Sequence, residues 1–84
     1  MKDDRGVYYY PFPDNRQVRM YVREVGREVC FRMWNADDPG MWEQHGWVPY
    51  EAVRQAAGMY RRGAFDPRRA YDIEVARALL REQE

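Results

Sequence analysis

With 84 residues and a formal net charge of zero, the chain has room for one domain and lacks the basic excess of an avid nucleic-acid binder. A hydrophobic fraction of 45%, with 15% aromatic residues, supports a real core and excludes a disordered chain. Ser and Thr are absent, Lys2 stands alone against thirteen Arg, and Cys30 is the single cysteine. Those counts exclude a Ser, Thr or interior Lys nucleophile and a disulfide framework within the chain.

Residues 1–6 read as a charged, frayed start of a single domain spanning 1–84. Val7–Phe12 is aromatic and β-prone, with Pro11 and Pro13 confining it to an edge strand or strand end. Pro13-Asp14-Asn15-Arg16 carries turn chemistry.

Gln17–Arg23 and Glu28–Trp34 alternate with period two around Val25-Gly26, which predicts a β-hairpin. Pairing Glu24 with Arg27 sets Val22 against Val29, Met20 against Phe31 and Val18 against Met33 on one face. The opposite face then holds Arg19, Tyr21, Arg23, Cys30, Arg32 and Trp34, and Tyr21 is expected to tolerate a charge better than Met20 or Phe31. A slip of one residue would destroy this sorting.

Residues 35–47 read as a loop, with a tight turn at Asp38-Pro39-Gly40 and closure at His45-Gly46. Pro49 to Arg62 has the spacing of an amphipathic helix, with Pro49 in its first turn and Gly63 past its end. Asp66-Pro67 opens a second helix that runs to about Glu82. Its apolar arc exceeds half the circumference, so a surplus at Val75, Ala78 and Leu79 is expected to meet another surface, such as a second copy of the chain. The fold class is therefore α+β, a three-stranded antiparallel meander followed by two helices packed on one face, in the order βββαα.

The sheet face of Tyr8, Tyr10, Arg19, Tyr21, Arg32 and Trp34 alternates cations with aromatics, as surfaces that hold single-stranded nucleic acid do. The simpler reading is a half-solvated face whose arginines lie over aromatic rings. Arg61, Arg62, Arg68 and Arg69 form a basic cluster around the turn between the helices, within a segment, 52–71, of charge +4 that follows one, 36–51, of charge −4. Asp37, Asp38, Glu43 and His45 lack zinc or calcium-loop spacing, so neither a metal nor another cofactor is expected. Cys30 reads as a space-filling residue rather than a reactive thiol.

Gly46-Trp47 before the alanine-rich stretch 52–57 superficially resembles the MbtH-like proteins, which bind adenylation domains. That family's Ser-x-Trp-Pro and Trp-Thr-Asp-x-Arg-Pro motifs are absent from this chain, and no assignment is made. The expectation is a non-enzymatic protein-interaction module, with a partner protein or a homodimer as its contact. A weak single-stranded nucleic-acid binder is the alternative. The lone cysteine, the charged start and the absence of any run near about eighteen apolar residues point to a cytoplasmic protein with no membrane partner.

Overall fold

Turn chemistry at Gly26 decides how the central hairpin closes. The computed structural model describes residues 1–59 and 71–82. In it β3 (Val18–Val25) and β4 (Glu28–Asn35) flank the two-residue loop Gly26-Arg27. Gly26 has φ of +65° and no described non-glycine residue has positive φ, a combination that matches a type II′ turn with glycine first.

The expected register is thereby corrected by two residues. Val25 pairs with Glu28, Val22 with Phe31, Met20 with Met33, Tyr21 with Arg32 and Arg19 with Trp34. The earlier pairing would have placed Val25, rather than glycine, at the first turn position, where a β-branched residue is strained. A shift of two leaves each side chain on its face, so the predicted sorting into two faces holds.

Among the described residues the sheet has five strands rather than three, in the order β1-β2-β3-β4-β5 and antiparallel throughout. The start read as frayed contains β1 (Lys2–Asp3), paired with β2 (Gly6–Tyr9), and β2 ends before the two prolines. The loop at 35–47 contains a short helix, α1 (Gly40–Gln44), and leads into β5 (Val48–Pro49). Pro49 thus closes an edge strand opposite Cys30 instead of opening a helix. Helix α2 is Tyr50–Met59, and helix α3 is Ile73–Glu82.

Helix α3 does not run unbroken from Asp66-Pro67, because Tyr71 and Asp72 are non-helical. Asp72 is its N-cap: its Oδ1 accepts from the backbone N–H groups of Glu74 (3.1 Å) and Val75 (3.3 Å). Asp66, Pro67 and the basic cluster Arg61, Arg62, Arg68 and Arg69 lie outside the described residues.

The core forms on one face of the sheet. Val7, Val22, Phe31 and Val48 make a continuous row across four strands. Helices α2 and α3 cover it with Val53, Ala76, Ile73, Leu79 and Leu80, and the Tyr71 ring meets Phe31 edge-on at 5.4 Å. Leu79 therefore belongs to the core, while Val75 and Ala78 face outward. Across the sheet the Tyr9 hydroxyl accepts the backbone N–H of Asp72 at 2.9 Å, tying the start of α3 to β2. Among the described residues no helix is long and apolar enough to cross a membrane.

Tyr21, expected on a solvated face, is fully buried, as are Met20 and Phe31. Asp at position 20, 21 or 31 should each cost several (about 3 or more) kcal/mol, a large part of the stability of a small domain. Val25→Asp, at an exposed site, should cost less than about 1 kcal/mol. Urea denaturation followed by circular dichroism separates the two groups; a Tyr21→Asp protein as stable as Val25→Asp would put Tyr21 in solvent.

Candidate functional site

The second face of the sheet is built by alternation: odd positions of β3 and even positions of β2 and β4 project away from the core. Tyr8, Tyr21 and Arg32 form one row across it, and Arg19 and Trp34 form the next pair. Because β1 pairs with the start of β2, Asp3 reaches the same face. Its Oδ2 accepts from the Tyr21 hydroxyl and from Arg19 Nη1 at 3.1 Å. Its Oδ1 accepts the Arg5 backbone N–H at 2.8 Å.

The loop carrying α1 folds onto this face and closes its centre. The Trp42 ring packs edge-on against Tyr21 at 5.2 Å, and Trp47 meets Trp42 at 6.0 Å. Arg32 clasps the loop by donating Nε (3.0 Å) and Nη2 to the Trp42 carbonyl, with its guanidinium 4.0 Å from the Trp42 ring centre. The three tryptophans of the chain, Trp34, Trp42 and Trp47, therefore share one surface.

The three tryptophan rings and those of Tyr8 and Tyr10 each have a guanidinium over them. Arg19 lies 4.9 Å from Tyr8 and 5.0 Å from Trp34, and Arg5 lies 5.7 Å from both Trp34 and Trp42. Arg23 stands 4.3 Å over Trp47, and Arg16 stands 5.7 Å over Tyr10, whose ring meets Tyr8 edge-on at 5.8 Å. The reading of arginines over aromatic rings thus describes the contacts, but the face is not an open platform at its centre. The sequence missed Arg5, Trp42 and Trp47, whose place here depends on a two-residue strand and a loop that periodicity does not reveal.

Burial pushes the Asp3 carboxyl up, but the hydrogen bonds from Tyr21 and the Arg5 N–H, with the charges of Arg19 and Arg5, outweigh it and leave it below its ordinary value. Burial raises the Tyr21 hydroxyl, as does its bond to Asp3. It also raises the thiol of Cys30, which is buried opposite Arg23.

The acidic residues and the histidine singled out in the loop do not assemble into a site. Asp37, Asp38, Glu43 and His45 are all exposed, and no group of three His, Cys, Asp or Glu able to hold a metal occurs among the described residues. An open groove of about 460 Å³ lies on the core side between the hairpin end, α2 and α3. It is lined by Val29, Tyr50, Ile73 and Leu80, with a rim of mixed-sign charges. Comparison with family models, curated proteins and solved structures finds no match to this chain.

Asp3→Asn should lower stability near neutral pH by about 1 kcal/mol, since a charge-assisted acceptor is lost at a half-exposed site. The Asp3 contribution in the wild type is complete above the unfolded value, about pH 4, and disappears as pH falls through the lower folded value. Stability curves of the two proteins should therefore converge below about pH 4. Parallel curves down to pH 2 would show that Asp3 is not held by these bonds.

Tyr9 gives the alkaline counterpart. Burial, followed by the charge of Asp72 and by Tyr71, pushes its hydroxyl up to about 12 against the partly offsetting bond from the Asp72 N–H. Its contribution is complete below the unfolded value, about pH 10, and is lost as pH rises toward 12. In Tyr9→Phe, thermal melts at neutral pH should show a loss of about 1 kcal/mol from the unsatisfied Asp72 N–H. The difference between mutant and wild type should then shrink between pH 10 and 12; a constant difference would show that the hydroxyl does not titrate with folding.

Proposed function

We propose that this chain is a non-enzymatic binding module, acting in the cytoplasm, that docks a partner protein through its arginine–tryptophan face. The observation that carries this reading is the gathering of Trp34, Trp42 and Trp47 with Arg5, Arg19, Arg23 and Arg32 on one side of the sheet. Trp, Tyr and Arg are the side chains that most often dominate the energetics of protein interfaces. The rings are half-buried and already held against one another, so little side-chain entropy is lost when a partner covers them.

The non-enzymatic part of the proposal rests on the sequence, which offers no Ser or Thr and one each of His and Cys. The cytoplasmic part rests on the single free thiol. A second copy of the chain is one form the partner can take, and the outward Val75 and Ala78 of α3 supply it with a small apolar patch.

Single-stranded nucleic acid is the second reading, favoured by the same pairing of cations with rings. Against it, Tyr21 has no free face, and the rings of Trp34, Trp42 and Trp47 carry guanidiniums where bases would stack.

The test is co-purification of tagged wild-type and Trp34→Ala protein from the native host. A partner captured by the wild type should fall at least tenfold with the variant, while the circular dichroism of the two proteins stays alike. Equal capture by both would remove this face from the function.

A further inference from the structure

Guanidiniums outnumber carboxylates on this face, where Glu28 at the start of β4 joins Asp3, in a chain of zero net charge. Arg5, Arg16, Arg19, Arg23 and Arg32 hold guanidiniums over its rings, and the carboxylate bonded among them is Asp3. Asp3 pairs with Arg19 at 3.1 Å. Among the described residues no carboxylate lies within ion-pairing distance of Arg5, Arg16, Arg23 or Arg32. Arg32 spends two donors on the Trp42 carbonyl, whereas the side chains of Arg5, Arg16 and Arg23 are exposed at the edge of the aromatic cluster.

From this complementarity we infer that the group seated here is acidic: an extended polypeptide segment rich in Asp or Glu. The inference rests on the docking reading above and adds the chemistry of the partner. A guanidinium supported over a ring keeps N–H donors for the two oxygens of a carboxylate, and the ring limits the rotamers it must surrender on binding. Arg5, Arg16 and Arg23 stand exposed over three different rings, so an extended segment that crosses the face meets more than one cation. A phosphate backbone offers the same charge, but its bases need ring faces that the arginines occupy.

The probe is a ten-residue polyglutamate peptide, with polyglutamine and an oligothymidylate of equal length as comparisons. All three tryptophans report on this face, so intrinsic fluorescence reads its occupancy directly. Polyglutamate should shift the emission saturably, polyglutamine should not, and the affinity should fall as salt rises. Arg5→Gln with Arg23→Gln, both at exposed positions, should weaken polyglutamate binding at least tenfold without changing the circular dichroism. Absence of any polyglutamate response, with the native partner still captured by wild type and lost by Trp34→Ala, overturns the acidic chemistry and leaves the docking reading intact. If Trp34→Ala retains the native partner, the docking reading falls independently of the peptide result. Tenfold tighter binding of oligothymidylate than of polyglutamate also overturns the inference, in favour of nucleic acid.

Discussion

A left-handed residue is required at the first position of the β3–β4 turn, and Gly26 supplies it. The register of the sheet follows from that single backbone constraint. With Val25 opposite Glu28, Val22 meets Phe31, and the apolar row extends outward to Val7 and Val48. The same register sets Tyr21 beside Arg32 and Arg19 beside Trp34, so the contacts of the second face depend on it as fully as the core does. A turn closed two residues differently would keep every side chain on its face and still separate these partners.

Small domains bury too little surface to leave a large aromatic side chain idle, and here the chain covers its own second face. Tyr21 is enclosed by Tyr8 and by Trp42 from the loop, and its hydroxyl is satisfied by Asp3. A two-residue strand has almost no stability of its own. The start of the chain is held because Asp3 is drawn in by Tyr21 and Arg19, and because the Tyr8 N–H donates to the Met1 carbonyl at 2.9 Å. Each guanidinium over a ring contributes about 0.5–1 kcal/mol at such exposure, so these contacts together stabilise the loop and the first strand appreciably.

This closure also bears on function. Arginines fixed over rings form a preorganised cationic surface, the arrangement on which the proposed docking rests. The groove on the opposite side is rimmed instead by charges of both signs, Glu24, Glu28 and Glu51 with Arg27, Arg77 and Arg81. The orphaned Nε of Arg19, buried without a hydrogen-bond partner, shows how far the packing of this face favours ring contact over complete polar satisfaction.

The sequence alone determined which side chains lie on which face of the central hairpin, that Gly26 belongs to its turn, and that two helical segments follow the sheet. Period-two alternation and amphipathic spacing are local properties, readable from neighbours a few residues apart. Alternation is blind to an even shift, so it left the register to the turn, where the backbone at Gly26 chose it; tertiary structure decided what lies beyond the hairpin. It decided β1 and β5, since strands of two residues have no period to read. The sequence pointed to Asp66 as the helix opening, whereas Asp72 caps α3, where the Tyr9 hydroxyl, 63 residues earlier, binds its N–H. Trp42 could be placed over Tyr21 only by the folded loop. The cations and rings of the second face were visible as composition, but their pairing required contacts between strands, loop and chain start that no local pattern encodes.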